Sequence, residues 1–219
     1  MWAKKTYPIY WNDYVASFDN GIPSAVKDNK FVVLDTETTG FDVKKDRILS
    51  IGALVIRDKE IKPSEAFEVY VEQEHYSKES AKIHGILKKG KVKQIAEEEA
   101  LKKTLKTLEQ AVLVAHHAMY DVAMLNNALK RQGLPKLKNK VLDTSTLFAK
   151  TLSIREKEKY GSHFTLDRIA EKYKIPVHDR HTALGDAYIT AVAFLHILSK
   201  LKPASLNDLF KRDGVFKLW

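Results

Sequence analysis

The stretch FVVLDTETTG, residues 31–40, constrains this chain more than any other. Phe31, Val32, Val33 and Leu34 form an apolar run, rich in residues that favour strands, and it reads as a buried strand. It runs straight into two carboxylates, Asp35 and Glu37, with only Thr36 between them. In a strand, residues two apart point to the same side, about 6.6–7 Å along the chain. Asp35 and Glu37 therefore share a face with Phe31 and Val33, and that face begins apolar and ends acidic. Two carboxylates at that separation can hold a divalent cation between them, or one can bridge two cations. A strand end turning into solvent accounts for them as well, and the polar turn TTG that follows suits either reading.

The rest of the chain supplies a frame for this strand. A second apolar run, RILSIGALVIRD, follows a short loop, and a third, AFEVYVEQ, alternates so that Phe67, Val69 and Val71 face one way. The links are too short for helical crossovers, so the three strands are expected to form an antiparallel meander. The pattern then changes. SKESAKIHGI and QIAEEEALKKTLKTLEQ read as helices; AVLVAH (111–116) and KVLDT (140–144) read as short buried strands. MYDVAMLNNALKRQG, TSTLFAKTL, TLDRIAEKY and TALGDAYITAVAFLHILSKL read as further helices. The expected fold class is α/β, a mixed sheet of about five strands flanked by helices. Residues 1–30, aromatic-rich, read as an N-terminal extension, helical and packed on the core. Residues 31–202 then form the main domain and 203–219 a C-terminal helical tail.

Three more positions bear on the acidic strand end. Asp121 opens a helix directly after the buried strand AVLVAH. A carboxylate there stabilises the helix N-terminus by about 0.3–1 kcal/mol. The same position is also the carboxyl end of a strand, where α/β proteins place their sites. The segment HTALGDA brings His181 and Asp186. Five residues turn a helix by about 140° beyond one full turn, so the two cannot share one helical face. His181 is expected on the loop before the helix and Asp186 on its first turns, so that both reach one cleft.

The charge balance is +9, with clusters at KKGKVK (88–93), at Lys102, Lys103 and Lys106, and at KLKNK (136–140). Such a surface suits an anionic partner, nucleic acid above all, though a solvated lysine face has the same composition. The chain has no cysteine, which excludes disulfides and thiolate zinc sites. A metal would have to sit on oxygen or imidazole ligands, which favours Mg²⁺ or Mn²⁺. No apolar run approaching 18 residues and no secretory signal is evident, so no membrane association and a cytoplasmic location are expected.

Taken together, DTETTG (35–40), AHHAMYD (115–121) and HTALGDA (181–187), supported by IHGI (83–86) and LDT (142–144), resemble the DEDDh, or DnaQ-like, family of 3′→5′ exonucleases. That family includes the proofreading epsilon subunit of bacterial DNA polymerase III. The resemblance spans about residues 30–200 and implies a ribonuclease H-like fold. It implies two divalent metal ions, Mg²⁺ or Mn²⁺, held by Asp35, Glu37, Asp121 and Asp186, with His181 as general base. It further places Thr38, His84, Ile86 and His117 near the substrate. Two positions depart from the family pattern: His117 stands where asparagine is usual, and Tyr120 where phenylalanine is usual. The implied activity is release of nucleoside 5′-monophosphates from 3′ ends, with single-stranded DNA as the expected partner. Trimming of RNA ends and a non-catalytic interaction subunit of a DNA polymerase are the alternatives. Near the C-terminus, SLNDLF (205–210) weakly resembles peptides that bind the bacterial sliding clamp, but reads chiefly as an amphipathic helix capped by Ser205.

Overall fold

The computed structural model describes residues 6–74, 76, 78–86, 92–161 and 163–214. Along the chain these form α1 (Ile9–Ala16), β1 (Lys30–Thr38), β2 (Ile48–Arg57), β3 (Glu60–Val71), α2 (Lys78–His84) and β4 (Gln94–Ile95). There follow α3 (Glu97–Leu108), β5 (Ala111–Ala115), α4 (Met119–Arg131), β6 (Val141–Asp143), α5 (Thr144–Thr151) and α6 (Ile154–Tyr160). The last three helices are α7 (Leu166–Tyr173), α8 (Ala183–Leu201) and α9 (Leu206–Asp213).

The six strands form one sheet in the order β4-β3-β2-β1-β5-β6. The β1-β2-β3 meander is antiparallel, and β5 and β6 continue it in parallel on the other side of β1. The sheet has one strand more than the sequence pattern suggests. Gln94 and Ile95, expected to begin a helix, instead pair in parallel with Tyr70 and Val71, and the helix starts at Glu97. A two-residue ladder at a sheet edge leaves no periodicity to read. α6 was likewise not anticipated: it has no buried residue among those described, and a capping box between Ser153 and Glu156 starts it.

β1 is the central strand, and its alternation separates two cores. Val32 and Leu34 face the layer of α3 and α4, together with Trp11 and Tyr14 of α1. Phe31 and Val33 face the layer of α5, α7 and α8, where Phe31 lies 5.2 Å, ring to ring, from Phe194. The N-terminal helix is anchored by a buried polar contact: the Tyr14 hydroxyl donates to Asn139 Oδ1 at 2.6 Å, and Asn139 Nδ2 donates to the carbonyls of Leu108 and Ala111.

α8 is long and apolar enough, at 19 residues, to cross a membrane by length and composition, which the sequence reading did not register. Its apolar surface is instead spent on the core, from Ala183 through Phe194 to Leu198. In α9, Ser205 accepts from the Asp208 N–H, while Leu206, Leu209 and Phe210 are buried. Of the DLF that gave SLNDLF its likeness to clamp-binding peptides, Leu209 and Phe210 therefore belong to the core, while Asp208 pairs with Arg212 at 2.8 Å.

The N-terminus of α8 crosses β2 at Gly52, where a Cβ would come within 2.2 Å of backbone atoms of Ala183 and Leu184. Gly52 lies opposite Asp35 in the β1–β2 register, so this close approach sets where the first turn of α8 meets the acidic strand end. Gly52→Ala is expected to destabilise the fold by at least about 1–3 kcal/mol, because backbone and not a flexible side chain must move. A shift of the urea midpoint with unchanged slope is the measurement; an unchanged midpoint would contradict this packing.

Candidate active site

The carboxyl end of β1 carries Asp35 and Glu37 on the α8 side of the sheet, as the two-residue period requires. A register shift between Glu37 and Thr38 ends the regular pairing with β2. Such an irregularity bends a strand and re-aims its side chains. Asp186, in the first turn of α8, completes a trio: one carboxylate oxygen from each of Asp35, Glu37 and Asp186 lies within 4.8 Å of the others. Asp121, in the first turn of α4, is buried beside them and accepts a hydrogen bond from Thr36 Oγ1 at 2.7 Å. It stands outside the close trio, yet of the neighbouring carboxylates it bears most strongly on Asp35.

Burial and mutual repulsion dominate the electrostatics. Asp35 is pushed well above the usual carboxylate range by desolvation and then by Asp121, Asp186 and Glu37. Glu37 is raised to about 8 by desolvation, then by Asp186 and Asp121. Desolvation also raises Asp121 and Asp186. The donor set is oxygen-only and carries more negative charge than its surroundings neutralise, which fits hard divalent cations.

His181 occupies the loop before α8, exposed, in the left-handed region at φ 65°. Its backbone N–H donates to Asp186 Oδ1 at 3.3 Å. Thr182 caps α8 by accepting from the Gly185 N–H and donates to the Asp179 carbonyl. A Cβ on Gly185 would sit 2.0 Å from that same carbonyl, so the loop folds this closely only over glycine.

A cleft of about 300 Å³ opens beside Glu37, lined by Thr36, Thr38, Phe41, Ser80, His84 and Tyr120 among others. Thr38 and His84 thus reach it; Ile86 and His117 are not among its walls. Ile86 instead donates its N–H to His84 Nδ1 at 3.0 Å. His117 is exposed, packs its ring 4.3 Å from that of His116, and sits at φ 56°, a conformation that asparagine and histidine both tolerate.

Several contributors had no role in the sequence reading. The hydroxyl of Tyr120, which phenylalanine would lack, donates to the Gly40 carbonyl at 2.6 Å and lies 2.7 Å from Thr38 Oγ1. Asp143 accepts from the N–H groups of His117, Ala118 and Ser145, tying the loop after β5 to the start of α5. Phe41 projects from the cleft rim, 85% exposed. Arg180 bridges Asp167 and Asp186. Tyr120 was visible as a departure from the family pattern and Asp143 within LDT; nothing local marked Arg180. The lysine clusters are partly neutralised: Lys102 pairs with Glu99 at 2.6 Å and Lys106 with Glu109 at 3.0 Å. Residues 88–91 of the cluster at 88–93 lie outside the described residues.

Residues 32–194 match the model of the RNase T-type exonuclease family. The chain belongs to the DnaQ-like exonuclease family. Among curated relatives of this chain, the PolC-type DNA polymerase III of Caldanaerobacter subterraneus subsp. tengcongensis is 33% identical over 204 residues, covering 90% of this chain and 14% of the relative. The Thermotoga maritima PolC-type DNA polymerase III is 31% identical over 190 residues, covering 87% and 13%. The chain therefore spans about a seventh of the length of these relatives. Among solved structures, E. coli Exonuclease I in complex with a dT13 oligonucleotide aligns at TM-score 0.68 and 16% identity, covering 80% of this chain and 42% of that one. Exonuclease X in complex with 5′ overhanging duplex DNA aligns at TM-score 0.61 and 19% identity, covering 84% and 99%. At these identities the likeness is one of fold, and it agrees with the ribonuclease H-like α/β architecture.

The raised carboxylates make a pH prediction. Glu37 titrates near 4.5 when unfolded and near 8 when folded. Between those values the folded protein holds a proton that the unfolded chain has released, so stability falls as pH rises through this window. In EDTA the melting temperature of Glu37→Gln is expected to exceed that of wild type at pH 8 and to converge with it near pH 5. Mg²⁺ is expected to raise the wild-type value most at pH 8. Thermal melts across this range test both, and a Glu37→Gln difference independent of pH would contradict the charge crowding.

Proposed function

We propose that this protein is a divalent-metal-dependent 3′→5′ exonuclease that removes nucleoside 5′-monophosphates from DNA ends. The observation that carries this reading is the convergence of Asp35, Glu37 and Asp186 oxygens within 4.8 Å, with Asp121 buried alongside. Asp35 would serve two ions, with Glu37 and Asp186 on the first and Asp121 on the second. When bound, such ions relieve charge on the phosphoryl oxygens, activate water and stabilise the leaving oxygen.

The chain's own groups do the rest. An imidazole nitrogen of His181, on its exposed loop, takes the proton of the attacking water as general base. The new O–P bond forms as the bond from phosphorus to the 3′ oxygen breaks, leaving a shortened strand with a 3′ hydroxyl and a free 5′-monophosphate. Thr38, His84 and Tyr120 line the cleft beside Glu37, which supports reading them as the seat of the terminal nucleotide. Basic side chains hold the phosphate backbone without reading sequence. The structural neighbours in complex with a dT13 oligonucleotide and with 5′ overhanging duplex DNA support DNA as the substrate class.

Incubation of 5′-labelled single-stranded DNA and RNA, with and without EDTA, tests this. A stepwise ladder on DNA is expected, abolished by EDTA and reduced more than about 100-fold by Asp35→Ala, since even residues behind a metal's ligands contribute 10–100-fold. Degradation of RNA alone would reassign the substrate. An Asp35→Ala protein as active as wild type would end the reading.

A further inference from the structure

Arg180 is the cation in direct contact with the acidic cluster among the described residues. Its Nε and Nη2 donate to the two oxygens of Asp167, at 2.7 and 3.0 Å, and its Nη1 donates to Asp186 Oδ2. The three donors thus span two carboxylates, one in the first turn of α7 and one in the first turn of α8. The guanidinium side chain is 18% exposed and that of Asp186 is 10% exposed, whereas Asp167 is 64% exposed. The arginine is therefore held from the solvent side and points inward.

Both oxygens of Asp186 are engaged: Oδ1 by the His181 N–H and Oδ2 by Arg180. A metal ion that coordinates Asp186 has to share or take an oxygen already occupied. The positive charge of Arg180 also acts on Asp35 and Glu37, so its influence covers the whole trio. An arginine fork suits this position because it can grip one carboxylate with two donors and still reach a second, which a lysine ammonium cannot reproduce.

We propose that Arg180, held by Asp167, is a built-in cation that competes with divalent metal for Asp186, so that metal loading and release of Asp186 by Arg180 are one event. Arg180 precedes His181 in the chain, so the exchange of arginine for metal takes place directly beside the residue that carries the imidazole. Asp167 keeps the arginine tethered nearby when it lets go. The proposal rests on the metal-dependent reading above.

Isothermal titration of EDTA-stripped protein with Mn²⁺ tests it, with no nucleic acid present. Arg180→Gln is expected to bind Mn²⁺ roughly tenfold more tightly than wild type, in line with loss of one competing charge-assisted hydrogen bond. Arg180→Lys keeps the net charge but not the fork, and is expected to bind several-fold more tightly. Asp167→Asn leaves Asp186 as the arginine's only carboxylate partner among the described residues and is expected to bind more weakly. Thermal melts in EDTA establish that each variant is folded; if Arg180→Gln is not, the lysine and asparagine variants decide. Wild-type binding with Arg180→Gln and Arg180→Lys equal or weaker would overturn the competition while leaving the metal site intact. No Mn²⁺ binding by wild type would overturn the metal reading and this inference together.

Discussion

Crowding of negative charge at one end of the central strand governs the architecture of this protein. β1 is flanked by β2 and β5, and its residues 31–34, just before Asp35, are buried on both faces. Each element that reaches its carboxyl end then adds an acid: Asp121 from α4 and Asp186 from α8. Carboxylates gathered in a partly dry cleft repel one another and favour the protonated state. The two cores beneath them, one under α3 and α4 and one under α5, α7 and α8, supply the stability that lets the arrangement persist. Thr36 and Arg180 offset part of the charge by hydrogen bonds; the remainder is what makes the cleft attractive to cations.

Close backbone approach is the steric condition for that clustering. α8 brings Asp186 to the strand end only because β2 presents Gly52 to its first turn, and because Gly185 lets the Asp179 carbonyl lie against the helix. Thr182 then caps the helix and places His181 outside it. The same few residues thus settle the position of a carboxylate, the phase of a helix and the location of an imidazole. On the opposite layer, Tyr14 and Asn139 fasten α1 to the segment before β6 through buried hydrogen bonds, so residues N-terminal to the family match share the core.

Much of this was legible from local pattern. The alternation in residues 31–37 put both acids on the face of Phe31 and Val33, and the short links between the first three apolar runs required an antiparallel meander. The rotation of a helix separated His181 from Asp186, and the loop position of His181 follows that geometry. Elements without a buried stripe were less visible: Gln94–Ile95 is too short to show a period, and α6 touches the core only through the partly buried Tyr160 at its end, with no fully buried residue among those described. The Ser153–Glu156 capping box was the one local cue to α6, and it is a weak one without an apolar face beside it.

Periodicity thus sufficed for the fold class and for putting Asp35 and Glu37 on one face, because side-chain direction follows directly from backbone repeat, while the grouping of Asp121 and Asp186 with them was implied by the resemblance of the motifs. They said nothing of the Arg180 bridge, of the Tyr120 hydroxyl on Gly40, or of which expected substrate residues reach the cleft. Those depend on side chains that meet across separate elements, at distances set by packing rather than by sequence interval. Asp167 and Asp186 are 13 and 6 residues from Arg180, yet one guanidinium spans both because α7 and α8 start side by side. That juxtaposition, and the occupied oxygens of Asp186 that result from it, exist only once the helices have docked on the sheet.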